Sequence, residues 1–399
     1  MQFKHINGFF QRRNNMPKVA MIVSNSCNPD PRVEKEAIAL SKAGYDVTIH
    51  AFDREENSEL ISNKNGINIK RYRVGKTPIG APSIFTGMKV LNGLRKFRNA
   101  VKKELLISAP DFVHCHDADT LSVGLTLRYK TKTTLVFDMH DLAHTWARMA
   151  SPYSIIRRVV AFVIERRLIR RFKYCDLIIT SSGAVSKTSH PGFREWIRKR
   201  VKNPYVVVVE NRPERMDAIQ PLPQHFTIGY AGKIREKTMF ETLIQAAENM
   251  SKDIPVKLIV AGYGTANDEI EKMLERTSIE VEKTGKFQTN ELSEIINRMS
   301  VMYAVYPTTR GNILDGALPT KMFDAAIHGR PSIVNSDCLM GDIAKSEKIG
   351  ITVDSGDISE LTSALIEIER KNKIIKLDRD WTGEAKRLVS AYSSIGNGS

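Results

Sequence analysis

The stretch Gly316–Val334, GALPTKMFDAAIHGRPSIV, decides how the rest of the chain is read. It reads as a loop, a helix, a turn and a strand, and it follows a further strand, VMYAVYP (Val301–Pro307). Pro319 suits a first helical turn, where its missing N–H would be unpaired anyway. The amides near Leu318, Thr320 and Lys321, with the helix dipole behind them, are expected to attract an anion. Lys321 adds a cation. Asp324, one turn further in, is placed to accept hydrogen bonds from a diol such as a ribose. Each residue alone is ordinary helix grammar, so the decision rests on what surrounds it.

Working outward, apolar runs alternate with helical stretches from Met16 onward, the signature of α/β layers on a parallel sheet. KVAMIVSN, DVTIHAF, DFVHCHD, TLVFDMHD, CDLIITSS and YVVVVEN read as strands. DPRVEKEAIALSKAG reads as a helix with an apolar Val33, Ala37, Leu40 stripe, closed by Gly44. The proline-bearing RPERMDAIQPLPQ (Arg212–Gln224) reads as a linker. The alternation then restarts with TIGYAGK, a helix over Thr238–Asn249, VKLIVAG, a helix over Asp268–Arg276, VEKTGKF and a helix over Glu291–Arg298. Two doubly wound halves follow, with ligands expected at the carboxyl ends of their strands and a shared site between them. The boundaries predicted are an extension 1–15, a first domain 16–208, a linker 209–225 and a second domain 226–378. Helix 379–399 is expected to rejoin the first domain.

Two loops at strand ends of the second half turn helix grammar into a pocket. GYAGKIREK (Gly229–Lys237) leaves its strand with Gly232, Lys233, Arg235 and Lys237, and AGYG supplies Gly262 and Gly264 for close backbone approach. Two anion-attracting devices on neighbouring strand ends point to a diphosphate.

In the first half, VHCHDADTL carries His114, His116, Asp117 and Asp119, and FDMHD carries Asp138, His140 and Asp141. Acid–base groups, scaffolding and metal ligands all fit such residues. Against a metal, the chain has no HExxH and no third region of grouped ligands, only single His190, His225 and His328.

A length of 399 residues suggests two domains, and 42% hydrophobic with 26% charged content is that of a globular protein. No apolar run approaches the roughly 18 residues of a spanning helix. The start MQFKHINGFFQRRNNMPK lacks a signal-peptide pattern, and Cys27, Cys115, Cys175 and Cys338 are scattered. A reducing cytoplasm is therefore expected, without disulfides or a zinc knuckle. The net charge of +15 is concentrated in IIRRVVAFVIERRLIRRFKY (Ile155–Tyr174), with seven Arg/Lys and one Glu. Ile155, Val159, Phe162, Val163 and Leu168 recur at roughly helical spacing. Two readings stay open: a surface lying on the anionic inner face of the cell membrane, or a helix packed by its apolar side with a solvated basic face. No nucleic-acid motif accompanies the charge.

Together these segments resemble the retaining glycosyltransferases of the GT-B fold, specifically the family 4 type (glycosyl transferases group 1), over nearly the whole length from Met16. NPDPRVEKEAIALSKAGYDVTIHAFDR is similar to that family's opening strand and helix. VHCHDADTL and FDMHDL are similar to its histidine segments, YAGKIREK to its phosphate loop, and GALPTKMFDAAIHGRPSIV to its P-x-K-x-x-E segment. DRDWTGEAKRLVSAY is similar to its terminal helix. The resemblance implies two Rossmann-like domains facing a central cleft, and no cofactor. It implies a nucleotide-diphosphate sugar as donor and a hydroxyl acceptor; the basic surface points to a polysaccharide or lipid-linked glycan precursor, with a soluble acceptor as the alternative. The resemblance places Lys233 and Lys237 at the diphosphate, the amides around Pro319 and Thr320 at the distal phosphate, and Asp324 at the ribose. Gly285, Lys286 and Phe287 are placed at the nucleobase, His116 at the reacting sugar, and Asp30 and Arg32 near donor and acceptor. His140 is assigned to the acceptor side.

Three departures stand out. Lys233 occupies a place where arginine is usual, Asp324 replaces glutamate, and Gly316 stands where many members carry the first glutamate of an E-x7-E pair. Asp315 or Asn312 is then the candidate for touching the donor sugar. Rival readings are a metal-dependent hydrolase built on His114, His116, Asp117 and Asp119, a non-catalytic membrane-associated partner of another transferase, and a sugar-nucleotide epimerase.

Overall fold

Strands that are apolar along their whole length cannot face water on either side, so they pair in parallel and are covered by helices on both faces. In the computed structural model this happens twice. The structure describes residues 16–78, 84–149, 153–309 and 311–396, so the expected extension 1–15 and the end of the last helix lie outside it.

The first lobe runs β1 (Lys18–Val23), α1 (Pro31–Lys42), β2 (Asp46–Phe52), β3 (Ile61–Lys64), β4 (Ile67–Tyr72), α2 (Ile84–Ser108), β5 (Phe112–His116) and α3 (Asp117–Thr131). It continues through β6 (Thr134–Met139), α4 (Ala143–Met149), α5 (Ile155–Phe172), β7 (Leu177–Thr180), α6 (Phe193–Arg198) and β8 (Val206–Val208). Its sheet has the order β3-β4-β2-β1-β5-β6-β7-β8, with β3 antiparallel.

The second lobe runs β9 (Phe226–Ala231), α7 (Lys237–Ser251), β10 (Val256–Ala261), α8 (Asn267–Leu274), β11 (Glu280–Gly285), a 3₁₀ turn (Thr289–Glu291) and α9 (Leu292–Asn297). Then come β12 (Val301–Ala304), α10 (Gly311–Leu314), α11 (Lys321–Ile327), β13 (Ser332–Asn335), α12 (Leu339–Ser346), β14 (Gly350–Val353) and α13 (Ile358–Lys371). Its order β11-β10-β9-β12-β13-β14 is all parallel.

In both sheets the chain order reverses beside the first strand, between β1 and β5 and between β9 and β12. Neighbouring loops leave a sheet in opposite directions there, which opens a crevice at the carboxyl ends. The last helix, α14 (Trp381–Gly396), returns to the first lobe, where Trp381, Leu388 and Tyr392 join the core of β1, β2 and α1.

The linker is irregular but firmly held. The buried Arg330 guanidinium donates to Gln220 O and Pro221 O at 2.7 Å and to Met299 O at 3.0 Å, tying the linker to the second lobe. Arg212, also fully buried, pairs with Glu210 and Glu347 and lies 3.8 Å from the Phe323 ring centroid. Arg379 joins Glu210, Glu347 and Glu384 at 3.0–3.1 Å. Across the lobes, His190 N–H donates to Asp342 Oδ2 at 2.6 Å.

The basic helix corrects one expectation. Of the stripe read from sequence, only Leu168 is buried; Ile155, Val159, Phe162 and Val163 are exposed. The core contacts of α5 come instead from Ala161, Leu168 and Phe172.

Candidate active site

The second-lobe crevice is built by backbone close approach. β9 ends in Gly232 (φ +144°) and β10 runs into Gly262 (φ +138°). A Cβ on Gly262 would fall 1.8 Å from the Gly232 carbonyl oxygen, and one on Gly264 would fall 1.9 Å from that of Ile234. Both conformations and both contacts exclude side chains. Gly262 N–H donates to Gly285 O at 2.8 Å, so three strand ends form one backbone shelf.

Lys321 reaches this shelf from beyond β12. Its Nζ lies 3.7 Å from the Tyr230 ring centroid and 5.6 Å from that of Tyr306, and a Cβ on Gly232 would lie 3.2 Å from it. The two aromatic faces hold the ammonium by cation–π attraction. Tyr230 OH donates to Lys233 O at 2.7 Å, which fixes the loop between β9 and α7. The P-T-K segment and the glycine-basic loop therefore meet at the β9/β12 reversal.

The other sequence candidates divide. Lys233 is exposed, while Lys237 opens α7, half-exposed, and pairs with Glu241 Oε1 at 3.1 Å. Pro319 is not in the helix: Thr320 is the N-cap and α11 starts at Lys321, so the segment before it turns one residue later than its sequence suggests. Leu318 packs partly against the core of this lobe. Lys286 is exposed, and Phe287 packs on the cluster around Ile259 and Met299. Asp324 lies one turn into α11, its acidity weakened to about 6 by burial, against the pull of the Thr320 hydroxyl, Lys35 and Lys321. Lys35 belongs to the first lobe. Its Nζ donates to Arg212 O at 2.6 Å and Asn211 Oδ1 at 2.9 Å, and burial lowers its pKa to about 8.

The replaced glutamate has a steric explanation. Gly316 (φ +97°) abuts the first lobe: a Cβ there would lie 2.7 Å from Gly192 Cα and 2.7 Å from Pro191 O. Asp315 sits in the charge field of the first lobe. Its charged neighbours are His144, Arg148, Arg200 and Glu165 of the first lobe, and burial raises its pKa. Asn312 is buried, and its backbone carbonyl accepts from Ala317 N–H at 2.9 Å.

At the first-lobe reversal the residues expected near donor and acceptor are tied into the fold. Asp30 caps α1, accepting from Val33 N–H at 3.3 Å and from Asn25 Nδ2 at 2.8 Å. Arg32, in the first turn of α1, is buried. It grips Asp138 with two bonds of 2.8 Å, donates to Val209 O at 3.0 Å and pairs with Glu36 at 3.1 Å. Asp138 also meets His116 Nδ1 at 3.2 Å and His140 Nδ1 at 3.1 Å. Burial opposes the Asp138 charge, but Arg32 and the two histidines hold its carboxyl well below the usual range. His140 Nε2 faces Asp117 Oδ2 at 3.3 Å, and the two carboxylates raise its pKa well above the ordinary value against the effect of burial. Asp117 itself takes φ +62°, uncommon for a non-glycine residue. His116 is fully buried and stacks on His114, ring centroids 4.3 Å apart; its Nε2 has no protein partner.

Glu36, His114, His116 and Asp138 present ligand atoms within 4.8 Å of one another. They do not fit a cation. The Arg32 guanidinium already occupies both Asp138 oxygens and lies 3.1 Å from Glu36, and His114 Nδ1 is taken by Tyr392 OH at 2.8 Å. A divalent ion would have to displace a buried positive charge.

The sequence reading also missed a recess of about 360 Å³ beside this network, at the ends of β1 and β2, lined by Ser24, Asn25, Ser26, Asp53, Arg54 and Asn57. Only the Ser-Asn-Ser run after the first strand hinted at it.

The sequence model described as Glycosyltransferase Family 4 matches residues 32–200, and that described as Glycosyl transferases group 1 matches residues 225–370. The chain belongs to the GT-B glycosyltransferases. The fold of this glycosyltransferase is similar to sucrose-phosphate synthase from Thermosynechococcus elongatus (TM-score 0.68, 16% identity, 96% of this chain and 97% of that one). It is also similar to the catalytic domain of starch synthase IV from Arabidopsis thaliana bound to ADP and acarbose (0.64, 12%, 96% and 100%). A third is Anabaena HepE in complex with UDP (0.59, 12%, 96% and 95%). No curated protein matches the sequence. In this glycosyltransferase the glycine shelf with Lys321 falls in the group 1 half, and the histidine network falls in the family 4 half.

Proposed function

We propose that the chain moves a hexose from a nucleotide-diphosphate sugar to a hydroxyl acceptor, with retention at the anomeric carbon and without a metal. The observation that carries this reading is the Lys321 ammonium lying against the Gly232 backbone beside Gly262. A diphosphate needs close backbone approach and a fixed cation, and both are present at one strand reversal. Asp324, one helical turn on, suits the ribose diol.

In this reading the bond from the anomeric carbon to the phosphate oxygen breaks, and the charge left on that oxygen is met by Lys321. Such preorganised donors are commonly worth about 3 to 4 kcal/mol each. The acceptor oxygen bonds to the same face of the carbon and gives its proton to the departing phosphate. His116, buried and held through Nδ1 by Asp138, would act on the sugar only indirectly, by fixing Asp138 and with it His140. The polar recess at Ser24–Asn57 suits a glycan acceptor, either in a polysaccharide or on a lipid-linked precursor. Arg32 inside the histidine cluster supports metal-free chemistry and counts against the hydrolase reading.

One observation favours a second reading. Gly316 carries no carboxylate and is closed against Gly192, and the charged neighbours of Asp315 belong to the first lobe. A non-catalytic partner of another transferase would tolerate this.

A thermal-shift series with UDP-, GDP- and ADP-sugars tests nucleotide binding, since ligand at about 100 times its Kd adds about 2.7 kcal/mol. Proton NMR of the product then reads the anomeric configuration, with and without EDTA. Nucleotide binding without turnover of any donor would select the second reading, and no binding would overturn both.

A further inference from the structure

Helix α5 carries two unlike halves along one outward side. Its first turns present Ile155 and Ile156, both 77% exposed, then Val159 at 57% and Phe162 at 58%. Its last turns present Arg166, Arg167 and Arg170, followed by Lys173. The one acid of the helix, Glu165, is tied to Arg200 at 3.1 Å, so it does not neutralise that end. Around the basic end a recess of about 510 Å³ is lined by Arg167, Arg170, Arg171, Lys173 and Tyr174, with no carboxylate among them.

The long helix α2 repeats the gradient. Phe85, Met88 and Leu91 are 79%, 64% and 64% exposed, and Arg95 and Lys96 follow, also exposed. Arg98 of α2 lies within electrostatic reach of Arg171, so the two basic ends belong to one field. Exposed apolar side chains of this size on two helices are unusual on a free surface and mark a contact site.

We infer that the outward sides of α2 and α5 form a docking surface for an anionic lipid bilayer. The apolar turns enter the boundary between headgroups and acyl chains, and the arginine-lined recess receives lipid phosphates. Charge selects this occupant. A second copy of the same surface would set one cationic field against another. A nucleic acid would satisfy the arginines but leave Ile155, Ile156 and Phe162 in water. Among the described residues no helix is long and apolar enough to cross a membrane, so the contact is peripheral in kind.

The test is co-sedimentation of the full chain with vesicles of phosphatidylcholine, with and without phosphatidylglycerol. Binding is expected only to the phosphatidylglycerol vesicles, and salt is expected to weaken it. Ile155→Ser with Phe162→Ser, both at exposed positions, is expected to weaken binding at least tenfold with an unchanged Tm. Arg167→Gln with Arg170→Gln is expected to lower it about 25-fold, roughly fivefold per cation. No binding to phosphatidylglycerol vesicles, equal binding to neutral ones, insensitivity to both variants, or a dimer that buries α5 would each overturn the inference. The readout uses neither donor nor acceptor, so its failure would leave the transferase reading standing.

Discussion

Gly316 of the second lobe and Gly192 of the first meet backbone to backbone: a Cβ at position 316 would come 2.7 Å from Gly192 Cα. The contact lies between the two lobes, at the position where the family resemblance implies a glutamate. A side chain at position 316 would therefore meet the backbone of the opposite lobe and not open solvent.

Restoring the glutamate is therefore expected to harm rather than help. Gly316→Glu must adopt φ +97° and push Pro191 and Gly192 away. Positive φ alone costs on the order of 1 to 2 kcal/mol. Thermal denaturation should show Tm lower by several degrees, with transfer no faster than in the parent chain. A variant of parental Tm with faster transfer would show that the lobes part there at no cost.

If Asp324 holds the ribose, as proposed, nucleotide binding is expected to depend on pH. Its pKa is raised to about 6, so the carboxylate that accepts from a diol is lost as pH falls through that value. Isothermal titration with UDP should show affinity weakening below about pH 6 more steeply than in Asp324→Asn. The comparison with the variant removes the diphosphate's own titration. Parallel profiles for the two proteins would take Asp324 out of the ribose site.

The Arg32–Asp138 pair is buried and has several partners. Arg32→Met leaves a buried carboxylate without its guanidinium, a change of the kind that costs about 3 to 5 kcal/mol. Glu36 adds a pH signature. Burial raises its pKa from 4.5 to about 7. The folded state thus holds a proton the unfolded state has released, and this contribution to stability falls as pH rises through that window. Glu36→Gln should flatten the fall in Tm between those two values. An unaltered slope would assign it to other groups.

Much of the fold was legible because fully buried strands announce themselves. The run DVTIHAF is β2 residue for residue, and the helix expected over Thr238–Asn249 became α7 over Lys237–Ser251. The β3–β4 hairpin was not read, because Ile61–Lys64 is an edge strand open to water with no apolar alternation. Helix α2 escaped for the opposite reason: Phe85, Met88 and Leu91 face outward and blur the period. At the site, the convergence of glycine loops with the P-T-K segment was readable, since strand ends gather at a reversal. Which lysine stands on the shelf was not. Lys233 and Lys237 are nearer in sequence to Gly232, but Lys321 crosses from β12 over Tyr230 to reach it. The burial of Arg32 depended on a partner 106 positions away, and no local pattern carries that.

The central claim, that Lys321 on the Gly232–Gly262 shelf holds a diphosphate, is tested most directly by calorimetry with one variant and two ligands. With the nucleoside diphosphate that the thermal-shift series selects, Lys321→Ala is expected to weaken binding at least tenfold while leaving binding of the matching nucleoside and Tm nearly unchanged. Equal affinity of the two proteins for that diphosphate would contradict it.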